Sequence, residues 1–505
     1  MTKIAAIATG SRRDSSSDRS RWIALIVLCV GFLMIILDQT IVNVALPSIQ
    51  SDLGFTQSSL AWVVNAYLIA FGGLLLLAGR LGDLIGRRRI FLIGLGVFVA
   101  ASALCGLAQS QSVLVGARFV QGVGGALTSA VILGMIVTMF PEPRERAKAI
   151  GVYSFVAAAG ASIGLLLGGV ITEAINWHWI FFVNLPIGVA TALLALRLVD
   201  GDAGLGLAKG ADVLGAVLLV GALMLGVYTI VETTTYGWGS LHTLGLGGLA
   251  LALLGSFVAR EARAETPLVP LGIFRSRNMT GANLIQALMV AGLFGMFFLG
   301  ALYLQRVLGY DAIEVGLAFL PVAVIIGALS LGASARLNMR FGARATLLPA
   351  LTFVAAGLVL FARSPVDASY VTDVLPAMVL LGTGAGLSFP SLMTLAMSSA
   401  TQEDSGLASG LVNTTMQVGG ALGLAVIATL STTRTENLLA SGDSQASALT
   451  GGFHLAFLIG AGLVVAALAV AASVLKPAAT LQEVPEVDGP EVEMNRDEPA
   501  YQEAA

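Results

Sequence analysis

Long apolar segments recur along the whole chain, and they constrain its fold more than any other feature. A helix needs about 20 apolar residues to cross a bilayer, and fourteen segments of roughly this length can be marked. They cover residues 22–46, 59–79, 90–108, 112–136, 147–171, 180–199, 213–231, 241–259, 279–303, 315–335, 346–362, 374–397, 405–430 and 453–475. Only 11% of the residues are charged, whereas soluble domains contain about 25%. The sequence therefore predicts an all-α integral membrane protein with fourteen transmembrane helices.

The first segment contains a carboxylate, Asp38, within the sequence LDQTIVNVALP. An ionised carboxylate in hydrocarbon costs at least ~2.5 kcal/mol, so such an acid normally faces a cavity or a partner. Desolvation favours the protonated form of a carboxyl group, which makes Asp38 a candidate for binding and releasing protons. The alternative is a neutral, hydrogen-bonded acid that packs against Gln39, Thr40 or Asn43.

Lysine and arginine residues predict the orientation, because cytoplasmic loops carry an excess of both. Most of them lie in the N-terminal tail and the even-numbered loops, whereas the odd-numbered loops hold only Arg306, Arg363 and Arg434. Both termini are therefore expected on the cytoplasmic side of the cell (inner) membrane. The Ser- and Arg-rich tail at 1–21 and the acidic, Pro-rich tail at 476–505 are expected to be disordered.

An internal repeat predicts two similar halves. Residues 79–89 read GRLGDLIGRRR and residues 335–345 read ARLNMRFGARA, and GVGGAL at 122–127 has an echo in GTGAGL at 382–387. Such repeats are typical of transporters. We expect six-helix bundles at residues 22–199 and 261–475, with spans seven and eight inserted between them at 200–260.

The two halves differ in charge. In the repeat, Met339 takes the place of Asp83 and Met378 that of Arg118, while the counterpart of Asp38 falls in the apolar sequence FGMFF at 294–298. We therefore expect ion chemistry in the N-terminal half and apolar contact surface in the C-terminal half.

The loop at residues 79–89 resembles the signature of the major facilitator superfamily between spans two and three, through Gly79, Leu81, Asp83, Gly86, Arg87 and Arg88. The glycines permit a tight reversal, and Asp83 can cap a helix of the next bundle. This resemblance implies a gating role for the loop. The alternative is an anchor that only holds the arginines in the cytoplasm.

Three further stretches resemble the fourteen-span drug/proton antiporters of this superfamily, the EmrB/QacA type. They are LDQTIVNVALP around Asp38, the sequence WHWIFFVNLPIG at 177–188, and a fourth-span signature formed by Leu114, Arg118, Gln121, Gly122 and Gly124. The fifth span departs from the antiporter pattern, because Leu165 stands where a proline is expected. The resemblance implies a proton-coupled multidrug or antibiotic efflux antiporter that works by alternating access on amphipathic small molecules.

Asp38 and Arg118 are the candidates for proton coupling. At about 1.5 Å per residue, Asp38 lies about 12 Å from the outer end of its span and Arg118 about 9 Å from the outer end of its own. Opposite charges at similar depth can pair, which lowers the cost of burying each. The alternative is that Arg118 extends to the membrane surface and never meets Asp38.

Polar and aromatic residues in the spans are candidates for lining a substrate cavity. The amides could instead hydrogen-bond between helices, and the aromatic residues could be core or face lipid. The candidates are Asn43, Asn65, Gln121, Gln286, Phe294, Phe298, Asn413 and Gln417.

Other functions leave weaker signals. The same fold could export one dedicated metabolite, such as a self-made antibiotic or an amino acid. Against an enzyme, the three histidines are isolated, and there is no G-x-x-x-x-G-K-[ST] loop for ATP coupling. A passive channel fits the two-bundle repeat and the buried acid less well. We expect no cofactor beyond a proton gradient, no metal, no nucleic-acid partner, and a monomer in the bilayer.

Overall fold

The computed structural model describes residues 2–202, 204, 206, 212–398 and 405–475, and all secondary structure in that part is helical. Seventeen α-helices follow one another: α1 Thr2–Leu53, α2 Gln57–Leu60, α3 Trp62–Ile85, α4 Arg87–Gly106, α5 Gln111–Met139, α6 Pro143–Ala174, α7 Trp179–Phe182, α8 Asn184–Leu198, α9 Val213–Tyr236, α10 Leu241–Glu261, α11 Arg277–Arg306, α12 Ala312–Ala328, α13 Ser334–Phe341, α14 Ala343–Phe361, α15 Leu375–Met397, α16 Ser405–Ala440 and α17 Gln445–Ser473. A 3₁₀ helix forms at Leu271–Arg275, and π-helical turns form at Leu329–Ala333 and Tyr370–Val374.

Within the described residues, twelve helical stretches are long and apolar enough to cross a membrane. The chain is therefore a multi-pass integral membrane protein, but the predicted number of fourteen spans is not supported. The two predicted segments outside the twelve, 147–171 and 315–335, lie on α6 and α12. Helix α12 has 17 residues and continues through the π-helical turn at Leu329–Ala333 into the polar helix α13.

Helix α1 begins at Thr2 and contains the first predicted span. The separate N-terminal tail at residues 1–21 stays a prediction. The C-terminal tail at 476–505 lies outside the described residues.

The helices pack as two bundles with equivalent contacts. In the first bundle α1 packs against α6 and α8, and α5 packs against α3 and α4; in the second, α11 packs against α16 and α17, and α15 against α12 and α14. The bundles meet where α6 packs on α12 and α3 on α16, and α9 of the inserted hairpin α9–α10 packs against α3 and α16. The internal repeat is therefore a repeat of helix packing. The exact bundle boundaries stay predictions.

Two glycines end equivalent helices in the two bundles. Gly86 separates α3 from α4 with a φ of 110°, and Gly342 separates α13 from α14 with a φ of 87°. Side chains other than hydrogen rarely tolerate such a backbone, which explains why glycine recurs in both copies of the loop. We refer to this end of the molecule as the Gly86 end and to the opposite end, where Thr56 caps α2, as the Thr56 end.

Close helix contacts repeat in the same way. A Cβ atom on Gly124 would lie 2.5 Å from the backbone nitrogen of Phe98, and one on Gly384 would lie 2.7 Å from that of Val354. Small residues let helix backbones approach this closely in membranes. The similar sequences GVGGAL and GTGAGL therefore form the same kind of close helix contact, one in each bundle.

At the Thr56 end, polar side chains connect the two bundles. Arg306 Nη2 donates a hydrogen bond to Gln50 Oε1 at 2.6 Å, and Gln305 Nε2 donates one to the carbonyl oxygen of Val44 at 3.0 Å. These bonds join α11 to α1 and connect the two bundles at this end.

Candidate functional site

A buried ion pair lies inside the N-terminal bundle. Arg118 Nη1 on α5 is 2.5 Å from Asp38 Oδ2 on α1, and the two residues are 1% and 0% exposed. The contact expected from their similar depth is present, and Arg118 does not extend to the surface. Because both charges are withdrawn from water, each depends on the other for compensation.

Two amides complete the shell of Asp38. Gln121 Nε2 and Asn184 Nδ2 donate to Asp38 Oδ1 at 2.7 and 3.0 Å, and both also donate to Ser102 Oγ, at 2.6 and 3.1 Å. Helices α1, α4, α5 and α8 each contribute one of these groups. With the guanidinium, three donors converge on this one carboxylate, and hydrogen bonds that involve a charged group are stronger than those between neutral groups.

Arg118 also has partners that do not depend on the acid. Its Nε donates to the carbonyl oxygen of Val63 at 3.0 Å, and its Nη1 donates to Gln121 Oε1 at 2.6 Å. The guanidinium carbon lies 4.4 Å from the ring centroid of Tyr67, within the range of a cation–π interaction. These contacts would remain if Asp38 took up a proton.

Glycines of α6 bring a helix backbone close to the acid. A Cβ atom on Gly164 would lie 2.0 Å from Thr40 Oγ1 and 3.1 Å from the carbonyl oxygen of Leu37. These two residues flank Asp38 on α1, so the α6 backbone packs on the turn that carries the carboxylate. The side chain of Leu165, where the sequence departs from the antiporter pattern, lies outside the description.

The predicted gating loop is tied to α5 by Arg87. The guanidinium donates to Asp83 Oδ1 at 3.0 and 3.2 Å, to the carbonyl oxygen of Gly134 at 3.1 Å, and to Thr138 Oγ1 at 2.9 Å. The partner of Asp83 here is thus Arg87, four residues further along the chain.

Another acid caps the helix that follows this loop. Asp202 accepts hydrogen bonds from the backbone nitrogens of Arg87 and Arg88, at 2.9 and 3.3 Å. Arg88 in turn donates to the carbonyl oxygen of Leu196, near the end of α8. Gly79 and Gly86 lie on either side of Asp83 in the sequence. Helices α3 and α5 run from this loop to the buried centre around Asp38. The loop and the ion pair are therefore separate sites.

The predicted cavity residues fall into two groups. Asn65, Gln286 and Gln417 are buried, and in the described part of the chain both polar side-chain atoms of Asn65 and the Oε1 atoms of the two glutamines have no hydrogen-bond partner. Buried polar atoms without partners are uncommon in proteins, so these three amides are the strongest candidates for contacting a ligand.

The remaining predicted cavity residues have structural partners. Gln121 belongs to the shell of Asp38, and Asn43 Nδ2 donates to the carbonyl oxygen of Gln39 at 3.3 Å. Phe298 is buried core, whereas Phe294 packs against Gly420. Asn413 is half-buried on α16.

Sequence reasoning missed three members of the site, namely Ser102, Asn184 and Tyr67. Asn184 left a signal, since it is the polar residue within the otherwise apolar sequence IFFVNLPIG. Serine is common at helix contacts in membranes and tyrosine is common near membrane surfaces, so Ser102 and Tyr67 left no such signal.

Comparisons with known proteins agree with this architecture. The chain is 40% identical over 474 residues to the puromycin resistance protein of Streptomyces alboniger, covering 92% of this chain and 94% of the relative. It is 37% identical over 433 residues to the cephamycin export protein of Amycolatopsis lactamdurans, covering 85% and 88%. It is 34% identical over 410 residues to the multidrug resistance protein Stp of Mycobacterium tuberculosis, covering 81% and 76%.

A solved structure shares the fold. A bacterial homolog to the human lysosomal transporter Spinster, in an inward-facing and unoccupied conformation, superposes with a TM-score of 0.64 at 17% identity, covering 90% of this chain and 96% of that one. Residues 28–424 match the family model of the Major Facilitator Superfamily. The expectation that the chain is not an enzyme is thereby confirmed. The chain belongs to the Major Facilitator Superfamily, a family of membrane transporters that generally work without a cofactor.

Proposed function

We propose that this protein is a proton-coupled exporter of amphipathic antibiotic-like compounds that works by alternating access. The observation that carries this proposal is the ion pair of Asp38 and Arg118, both less than 2% exposed. A buried ion pair is weak support for stability, because desolvation offsets much of the attraction between the charges. An intramembrane acid with a named partner is therefore best explained by function.

The network suggests how one proton could be coupled to movement. Protonation of Asp38 would remove its negative charge and weaken the bond from Arg118, while Val63, Gln121 and Tyr67 would keep the guanidinium paired. The ionised and protonated forms would thus favour different arrangements of α1 and α5. A ligand shifts a conformational equilibrium only by its difference in affinity for the two states, and the proton would supply that difference.

Alternating access also requires a closed end to open. The bonds from Arg306 to Gln50 and from Gln305 to Val44 join the bundles at the Thr56 end. In our proposal they break in the outward-open state, and Asp83 and Arg87 act at the opposite end of the same cycle.

The substrate would bind between the bundles near Asn65, Gln286 and Gln417, with Phe294, Phe298, Asn43 and Asn413 as further candidates. Relatives named for puromycin, cephamycin and multidrug resistance support an antibiotic-like substrate. Because two of these names specify a single antibiotic, export of one dedicated compound is the second candidate function.

We further propose that α6 and the α12–α13 stretch also cross the bilayer, which gives fourteen spans of the EmrB/QacA type. Both termini and the Gly86 end would face the cytoplasm, and the protein would act as a monomer in the cell membrane. The alternation of basic loops along the sequence supports this orientation.

Purified protein in liposomes tests the proposal, with puromycin as the first compound and a panel of antibiotics after it. An imposed pH gradient should drive a substrate uphill in the wild type, and collapse of the gradient should abolish accumulation. Downhill movement that ignores the gradient would indicate a passive channel. Transport of one compound alone from the panel would favour the dedicated exporter.

A further inference from the structure

Two buried carboxylates meet at the Gly86 end of the inserted hairpin, far along the chain from Asp38. Asp212 caps the first turn of α9, and Glu261 is the last residue of α10. Each is 3% exposed. Nothing in the mechanism proposed above uses either group.

Only one oxygen of each carboxylate is paired. Asp212 Oδ1 accepts hydrogen bonds from Arg260 Nε at 2.6 Å and from the backbone nitrogen of Gly215 at 2.8 Å. Glu261 Oε2 accepts one from the backbone nitrogen of Val269 at 2.8 Å. In the described part of the chain, Asp212 Oδ2 and Glu261 Oε1 are buried without a partner.

The two unpaired oxygens both lie close to Gly215. A Cβ atom on Gly215 would be 2.7 Å from Asp212 Oδ2 and 2.8 Å from Glu261 Oε1. The oxygens are therefore no farther apart than the sum of these two distances. Glycine at this position keeps the space between them open.

We propose that Asp212 and Glu261 form a second proton-binding site, in which the two carboxylates share one proton. Arg260 and the Gly215 nitrogen already donate to Asp212 Oδ1, so Asp212 Oδ2 serves as the acceptor. Glu261 takes a proton from the solution at the Gly86 end and donates it in a hydrogen bond from Oε1 to Asp212 Oδ2. One proton thus satisfies both unpaired oxygens, and two like charges at short range cannot both persist when buried.

A metal ion fits this site poorly. Calcium needs six to eight oxygen ligands and magnesium about six, whereas each carboxylate here has one free oxygen. Among the described residues no group of three or more acidic, histidine or cysteine side chains could hold a metal. The charged groups that act on Glu261 are Asp212 and Arg260, while Arg263 and Glu265 of the following linker are exposed.

The site lies where α9, α10 and the linker before α11 come together. Glu261 connects the end of α10 to the linker before α11 through Val269, and α9 packs against α3 and α16, which carry the contact between bundles. A proton shared at this position therefore joins the start of α9 to the end of α10, and Glu261 extends this contact to the linker before α11. Its loss would loosen that contact.

Infrared spectroscopy of the full-length protein in lipid nanodiscs tests this site directly. The spectrum of Glu261→Gln is subtracted from that of the wild type at neutral pH, so that contributions from Asp38 cancel. We expect the difference to contain the C=O band of a protonated carboxyl group. Glu232→Gln, at the other end of the same hairpin, is the matched control and should not produce this band.

A second variant and a stability series keep the test decisive. In Asp212→Asn the new amide should donate to Glu261 Oε1, so that the same band disappears even if Glu261→Gln folds poorly.

The native protein holds a proton that the unfolded chain releases, so wild-type thermal stability should fall as pH rises, and Glu261→Gln should show less of this fall. A difference spectrum with a carboxylate band, or a carboxyl band removed by added sodium, magnesium or calcium, would overturn the shared proton. The readout does not depend on transport, so it stands apart from the proposed function.

Discussion

The two bundles share their helix packing and differ in what fills their centres. Glycines at 86 and 342 end equivalent helices, and those at 124 and 384 bring equivalent helices together. Arg88 and Arg344 each donate to a carbonyl oxygen near the end of the last helix of their bundle. At the centre, however, positions that are polar in the first bundle are apolar at the equivalent positions of the second. Arg118 corresponds to Met378, Gln121 to Leu381 and Ser102 to Leu358.

The difference shows that the fold does not require the charges. Among the described residues of helices α11 to α17 no charged side chain is buried, and aromatic contacts fill the interior instead. The position of Cys105 is taken there by Phe361, which stacks on Phe457 at a centroid distance of 4.6 Å. The same helix packing forms around charged residues in one bundle and around aromatic residues in the other, so packing alone does not account for the ion pair.

The largest effect is expected from making the first bundle resemble the second. The variant with Asp38→Asn and Arg118→Met should fold, because replacing a buried ion pair with neutral groups is often neutral or stabilising. Proton-driven transport should be lost. Asp38→Asn alone should be less stable than the double variant, by about 3 kcal/mol, because it leaves the buried charge of Arg118 without a negative charge beside it. Thermal unfolding and transport in liposomes give both quantities, and a double variant that unfolds would show that the charges are structural.

The next effect concerns the charge on Arg118. Arg118→Gln removes a positive charge beside Asp38, so the acid should hold its proton to higher pH and the pH profile of transport should move upward. About 1.4 kcal/mol corresponds to one pH unit, so even a screened interaction is measurable. Arg118→Lys should keep part of the effect, since it retains the charge but not the planar fork.

The same pH series separates the alternatives for this residue. If Arg118 binds substrate directly, affinity should fall while the profile stays in place. An Arg118→Gln profile that overlays the wild type at full activity would end the coupling hypothesis.

A smaller shift in the same direction is expected from Asn184→Ala, which removes one donor from Asp38. A hydrogen bond to a charged group contributes roughly 1.5–3 kcal/mol, so the profile should move by at most about one to two pH units. Asn283→Ala is the matched control in the other bundle, because Asn283 is also buried and bonds to Met279 and Thr415. Equal shifts in both variants would mean that amides act through packing and not through the acid.

The smallest effect is expected at the loop. Asp83→Asn weakens a half-exposed pair with Arg87 at the Gly86 end, so it should slow turnover several-fold and leave substrate affinity unchanged. Met339→Asn changes the equivalent position of the second bundle, which is 80% exposed, and should change neither turnover nor substrate affinity. Stopped-flow transport measures turnover, and equilibrium binding measures affinity. A large loss of affinity in Asp83→Asn with normal turnover would refute a gating role.

Much of this architecture is predictable from the sequence, because long apolar segments and repeated glycines act through local rules. The pairing of Asp38 with Arg118 was also expected, since helix depth follows from residue counting. Depth alone does not give rotation about the helix axis, so Ser102 and Tyr67 could not be assigned to the site. The same limit placed Gln121 in the substrate cavity, whereas it bonds to Asp38. The cap by Asp202 comes from a loop, where periodicity carries no information.

The measurement that tests the central claim most directly is proton movement caused by substrate. Liposomes containing the protein and an internal pH indicator are given a transported compound without an imposed pH gradient. The wild type should move protons opposite to the compound, and Asp38→Asn should move none while its thermal unfolding remains cooperative. Substrate-dependent proton movement by folded Asp38→Asn, equal to that of the wild type, would contradict the assignment of coupling to the charged centre of the N-terminal bundle.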